Sequence, residues 1–172
     1  MLAGLCLRLA SDGNTVSVVA RNHARMRALA DRAPLDRIIP IQVDYRDVAA
    51  LDNALLRATG GKPSRTFCWI HDEIAPNAPL QIAGRVSRIF WHILGSAAGN
   101  PGTPQILSEW RERFRDRVPH LDYRQIVLGF VLGEGRSRWR TDAEISDGVY
   151  SAAQSPDALH VVGIIDPWSR RP

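Results

Sequence analysis

Residues 15–33 read TVSVVARNHARMRALADRA. The first six, Thr15 to Ala20, are short, apolar and rich in β-branched side chains, as a buried strand should be. Asn22 then stands where it can cap a helix running to about Ala33, and Pro34 stops that helix. A strand followed at once by a capped helix is half of a β–α–β unit. The fold therefore turns on whether the rest of the chain repeats it.

It does, in both directions. Upstream, Leu2, Leu5, Cys6 and Leu9 recur at helical spacing, and the helix ends near Asp12-Gly13-Asn14. Downstream, Arg37 to Val43 reads as a strand whose Pro40 is tolerable near a sheet edge. Asp47 can cap a helix from Val48 to Thr59, and Gly60-Gly61-Lys62-Pro63 reads as a stop and a turn. Ser64 to Ile70 is the next strand. A loop over Ala75 to Pro79 and a short helix from Leu80 to Val86 precede the strand Arg88 to Leu94. The loop Gly95 to Pro104 leads to an amphipathic helix from Ile106 to Arg117, with Ile106, Leu107, Trp110 and Phe114 on one face. Tyr123 to Leu132 is a strand with Gly129 as a bulge. Thr141 and Glu144 form a capping box that opens a helix to Ala153, and Leu159 to Ile165 is the last strand.

Strands and helices alternate, and most strands are continuous apolar runs. That combination specifies a parallel sheet covered on both faces. The expectation is one domain over residues 1–172, an α/β doubly wound, Rossmann-like fold in three layers. Ligands of such sheets bind at the carboxyl ends of the strands.

A doubly wound sheet should open with a strand, and this chain opens with a helix. In the order 3-2-1-4-5-6 the first strand lies in the middle of the sheet. Thr15–Ala20 would be the second strand and Ser64–Ile70 the fourth, with the N-terminal strand missing between them. The expectation is that these two do not pair directly, and that the natural start lies roughly 10 to 12 residues upstream, one strand plus a glycine-rich turn.

Composition narrows the function classes. The 172 residues are 45% hydrophobic and 23% charged, ordinary for a globular protein. No apolar run reaches the ~18 residues of a membrane span, and no signal peptide is legible, so a cytoplasmic location is the default. Cys6 and Cys68 read as buried thiols rather than a disulfide framework. The net charge of +4 invites a nucleic-acid reading, but Lys62 is the sole lysine among 22 basic residues. The arginines are scattered among acids, as in Arg111, Glu112, Arg113, Arg115, Asp116 and Arg117, which is the pattern of a solvated helix face. A salt-dependent shift with DNA would be needed to revive that class.

Four segments carry a resemblance. Met1-Leu2-Ala3-Gly4-Leu5 looks like the tail of a glycine-rich fingerprint. The second strand ends in Val19-Ala20-Arg21-Asn22, and the third in Val43-Asp44-Tyr45-Arg46-Asp47. Another strand runs into Leu94-Gly95-Ser96-Ala97-Ala98-Gly99. Together they resemble the short-chain dehydrogenase family, and within it a small bacterial branch. The resemblance implies a dinucleotide site at Met1, Leu2, Ala3, Arg21, Asn22, Asp44 and Tyr45, with Asp44 at the adenine and Ser96 where the family carries its active-site serine. An arginine at position 21 can clamp a 2′-phosphate, which favours NADP over NAD.

The family's catalytic pair, a tyrosine with a lysine four residues on, is absent. Tyr45, Tyr123 and Tyr150 are followed at that spacing by Ala49, Val127 and Gln154. His71 and Ser96 remain as candidate proton donor and orienter at neighbouring strand ends, with Asp72 beside the histidine. Their plainer roles are a loop hydrogen bond and a turn cap. His92, mid-strand, reads as a core histidine, and the five tryptophans as core or interface. No metal site is read. Two functions stay open: an NADP-dependent oxidoreductase with an atypical catalytic set, acting on a small-molecule substrate, or a dinucleotide-binding sensor or structural module without catalysis. Whether the chain forms a homo-oligomer is left open.

Overall fold

The computed structural model describes residues 1–34, 36–59, 62–71, 75–133 and 135–172. In chain order the elements are α1 (Ala3–Ser11), β1 (Val16–Ala20), α2 (His23–Ala30), β2 (Ile38–Gln42), α3 (Val48–Thr59), β3 (Arg65–Trp69), α4 (Ala78–Ala83), β4 (Ile89–Leu94), α5 (Gln105–Arg117), β5 (Asp122–Leu128), β6 (Phe130–Leu132), β7 (Ser137–Trp139), α6 (Asp142–Gln154) and β8 (Leu159–Val162). The expected turn at Gly60-Gly61 lies outside the described residues. Among the described residues, no helix is long and apolar enough to cross a membrane.

The architecture is doubly wound and Rossmann-like. A four-stranded parallel sheet runs in the order β3-β4-β5-β8, and β1 and β2 form a second parallel pair. One face carries α1 and α6, whose Leu5, Leu9, Ile145 and Val149 pack on Trp91, Ile93, Ile126 and Val162. The opposite face carries α4 and α5, where Ala83, Trp110 and Phe114 meet Cys68, Phe90 and Val127. The β1–β2 pair is covered in the same manner, by Ala10 and Leu29 on one side and by Leu51 and Leu55 on the other. Asn22 caps α2 as expected, its side chain accepting from the Arg25 N–H at 2.9 Å. Asp47 accepts from Ala50 N–H at 3.0 Å in the first turn of α3. Pro40 is accommodated because β2 is an edge strand.

β1 and β3 do not pair. Val16 donates to Arg37 at 2.8 Å, and Ala20 accepts from Val43 at 3.2 Å. Backbone groups of a parallel strand alternate sides, so those of Ser17 and Val19 point away from β2. On β3, Ser64 accepts from Ile89 at 2.9 Å, which leaves the groups of Arg65, Phe67 and Trp69 on the free edge. The two free edges face one another beneath α1, which packs on both units, and a bond of 2.6 Å from Arg65 to Asn14 spans their amino ends. No sheet hydrogen bond joins them among the described residues. The expected open place in the sheet is therefore present.

Three local expectations are corrected. The run Tyr123–Leu132 is two strands, not one bulged strand. A Cβ on Gly129 would lie 2.2 Å from the Ile164 carbonyl oxygen, so the backbone of the following segment presses against this glycine and turns the chain out of the sheet. Phe130–Leu132 then pairs antiparallel with Ser137–Trp139, a strand the sequence pattern did not reveal. The last parallel strand accordingly ends at Val162 rather than Ile165. Finally, α4 begins at Ala78, with Pro79 in its first turn, where a missing N–H is harmless.

Candidate functional site

All the expected site residues follow the carboxyl ends of the parallel strands or stand at the N-terminus of α1, on that same edge. α1 and α6 lie side by side and parallel. The Ser146 hydroxyl donates to the Met1 carbonyl at 3.0 Å, the Met1 ammonium lies 3.4 Å from Asp142, and Arg8 meets Asp147 at 2.8 Å. Gly4 permits this approach, since a Cβ there would sit 2.9 Å from that of Ser146. Leu2 precedes the helix without any side-chain cap, so the first N–H groups of α1 are left to other acceptors.

At the ends of β1 and β2, Arg21, Asp44, Tyr45 and Arg46 form one cluster. The Arg21 guanidinium lies 6.0 Å from the centre of the Tyr45 ring. Arg46 donates from its backbone and its Nε to the Asp44 carboxylate at 3.0 Å. These bonds from Arg46 hold the Asp44 carboxyl down to about 2, with the more distant charge of Arg21 adding a little. Asp44 is therefore already occupied by Arg46, a residue the sequence reading quoted but did not assign. Asn22 is likewise occupied as a helix cap.

At the ends of β3 and β4, no hydrogen bond joins the two catalytic candidates among the described residues. His71 is exposed, and its ring meets Trp69 edge-on at 5.2 Å. Asp72 lies outside the described residues. Trp69 also reaches to 3.8 Å from the Cβ position of Gly95, so its indole stands between the two strand ends. Ser96 is buried and opens a short 3₁₀ turn over Ser96–Gly99, and among the described residues it makes no side-chain bond to that turn. Instead its hydroxyl accepts from Arg171 Nε at 3.0 Å. Arg171, 75 positions away in sequence, escaped the sequence reading altogether.

No tyrosine–lysine pair stands at this edge. Tyr150 bonds Asp12 at 3.0 Å near the far end of α1. Tyr123 bonds His92 Nδ1 at 3.0 Å inside the core. Lys62 precedes β3, at the opposite edge. His92 is fully buried, as expected of a core histidine, and Trp91 and Trp110 are core residues too. Trp139 is not, with 45% of its surface exposed.

No protein-family profile matches the chain, and no curated protein matches it in sequence. Solved structures do match. A short-chain dehydrogenase/reductase from Vibrio parahaemolyticus superimposes with a TM-score of 0.73 at 10% identity, over 94% of this chain and 93% of that one. A bulky-bulky ketone specific alcohol dehydrogenase from Comamonas testosteroni gives 0.67 at 14%, over 97% and 83%. A carbonyl reductase from Pseudomonas aeruginosa, solved in complex with NADP, gives 0.62 at 17%, over 92% and 90%. The chain thus has the Rossmann-like fold of short-chain dehydrogenase/reductases.

Proposed function

We propose that the chain is an NADP-dependent oxidoreductase of short-chain dehydrogenase type, with an active site that lacks the Tyr-x-x-x-Lys pair. The observation that carries this reading is the arrangement of one strand edge. Two arginines and a tyrosine gather at the ends of β1 and β2, the uncapped start of α1 stands on the same edge, and Ser96 and His71 follow β4 and β3. The carbonyl reductase with NADP supports the same choice of cofactor.

The donor set suits that cofactor. Arg21 supplies a guanidinium group for a 2′-phosphate, Arg46 stands beside it paired with Asp44, and Tyr45 supplies a flat ring. The start of α1 offers backbone N–H groups and a positive dipole end to the pyrophosphate. NADPH would supply the hydride. This chain's own groups then have two tasks. Ser96, accepting a bond from Arg171, keeps its own proton free to donate to a substrate carbonyl oxygen. His71 can deliver the proton that the oxygen takes up as the carbon receives hydride, giving an alcohol. A turnover assay against a panel of carbonyl compounds tests this: activity should fall on His71→Ala with NADPH affinity kept. Full activity in that variant removes His71 from the chemistry.

A second reading is favoured by the missing tyrosine–lysine pair: a dinucleotide-binding sensor or structural module. Saturable NADPH binding with no turnover in wild type, and none lost on Ser96→Ala, would select it. Self-association and a cytoplasmic location belong to either reading.

A further inference from the structure

The C-terminal segment does more than end the chain. After β8 it crosses the carboxyl edge of the sheet: Ile164 bridges to Phe130, and Ile165 lies 3.0 Å from the Cβ position of Gly99 in the turn that Ser96 opens. It then presents Arg171 to the Ser96 hydroxyl. The guanidinium is held between two indoles, 4.9 Å from the Trp139 ring centre and 5.2 Å from that of Trp168. Among the described residues no carboxylate pairs with it, although the residue is exposed. Nearby, Arg140 has its Nε buried with no hydrogen-bond partner among the described residues.

A cation stacked on aromatic faces is held in position by them. With Nε spent on Ser96, the guanidinium keeps its outer edge, two parallel N–H groups at the spacing of a carboxylate's oxygens. In the same contact the Ser96 oxygen accepts from Arg171, so its proton is left for another acceptor. One carbonyl oxygen on Ser96 and one carboxylate on Arg171 must then belong to a short molecule, because the two side chains touch.

We infer that Arg171 is a specificity-determining residue that binds the carboxylate of a short oxo-acid substrate while Ser96 holds its carbonyl oxygen. The inference rests on the reading of Ser96 as the substrate-facing serine. Trp139 and Trp168 are positioning residues for the guanidinium.

The test is calorimetric titration of the full chain, with and without NADPH, using 2-oxobutanoate and its methyl ester as probes. The acid should bind at least about tenfold more tightly than the ester, the scale of one charge-assisted pair. Arg171→Ala, an exposed position, should bring the two affinities together. Arg171→Lys should retain part of the preference, and Trp168→Ala should weaken the acid alone. An unchanged preference in Arg171→Ala, or no binding of either probe with or without NADPH, overturns the inference. If Arg171→Ala tightens both probes alike, the tail is a cover rather than a recognition element, and the inference also fails. Arg171-dependent acid binding without any NADPH binding would instead sink the cofactor reading and leave this one standing. NADPH binding with reduction of neutral ketones, untouched by Arg171→Ala, would do the reverse.

Discussion

β1 and β4 are built from the same kind of residues, yet they live in different environments. In β4, five of six residues are buried. In β1, VSVVA, every residue is only half-buried. The difference is pairing. β4 has hydrogen-bonded neighbours on both edges, whereas β1 has β2 on one edge and an open place on the other. A strand's apolar composition specifies that it wants burial; only its neighbours decide how much it receives. The molecule is therefore divided into a well-packed unit, to which the proposed function assigns the reacting end, and a thinner unit, β1–β2 with α2 and α3, to which it assigns the nucleotide.

The largest expected effect lies in the packed unit. Phe90 is fully buried between β4's neighbours and α5, and Phe90→Ala should cost about 3–5 kcal/mol of unfolding free energy. Leu29→Ala in the thin unit removes a smaller side chain from a shallower cluster, and should cost about 2 kcal/mol. Urea unfolding measures both. Amide exchange sharpens the comparison: Leu29→Ala should loosen the amides of β1 and β2 and leave those of β4 and β5 protected. Equal loosening of both would show that the division is only apparent.

Next comes pH. Burial pushes the His92 imidazole down to about 3, with the Arg113 charge adding to it, from an ordinary value of 6.5. The unfolded chain thus takes up a proton that the folded chain refuses. Stability from this group is complete above pH ~6.5 and declines as the pH falls toward the folded value. Between pH ~7.5 and ~5 the packed unit should lose about 2 kcal/mol, at 1.36 kcal/mol per unit below the ordinary value. His92→Leu should flatten that slope in urea unfolding. A slope unchanged by the substitution would place the acid sensitivity elsewhere.

A smaller effect tests the open place itself. A chain given an apolar six-residue strand and a glycine-rich turn ahead of Met1 should show slower exchange at Ser17, Val19, Phe67 and Trp69. The expected change is at least about tenfold, or ~1.4 kcal/mol. These are the amides left unpaired by β2 and β4. Unaltered exchange there would mean that the two free edges cannot admit a strand.

Much of this fold was legible because the signals are local. TVSVVA followed by Asn22, Asp47 ahead of Val48, and the Thr141–Glu144 box each declare an element within a few residues. The lack of pairing between β1 and β3 was legible too, since the doubly wound order keeps those two strands apart. What the sequence hid depends on distant segments. From Ile126 on, the run YRQIVLGFVL is continuously apolar apart from Gly129, and nothing within it says that Ile164 will press on Gly129 and split it. Asp44 was readable as a strand-end acid, but not as the partner of Arg46. Arg171 gave no signal at all, because its meaning lies in Ser96 and in indoles brought to it by the β6–β7 hairpin and the last turn of the chain.

The central claim is that the thin unit reads the nucleotide and does so through Arg21. Direct titration of NADPH and NADH into the chain and into Arg21→Ala tests it most plainly. The account predicts that wild type prefers NADPH by about tenfold or more, and that the substitution removes most of that preference while NADH affinity stays nearly constant. Equal affinities for the two cofactors in wild type, or a preference that survives the loss of Arg21, would contradict it.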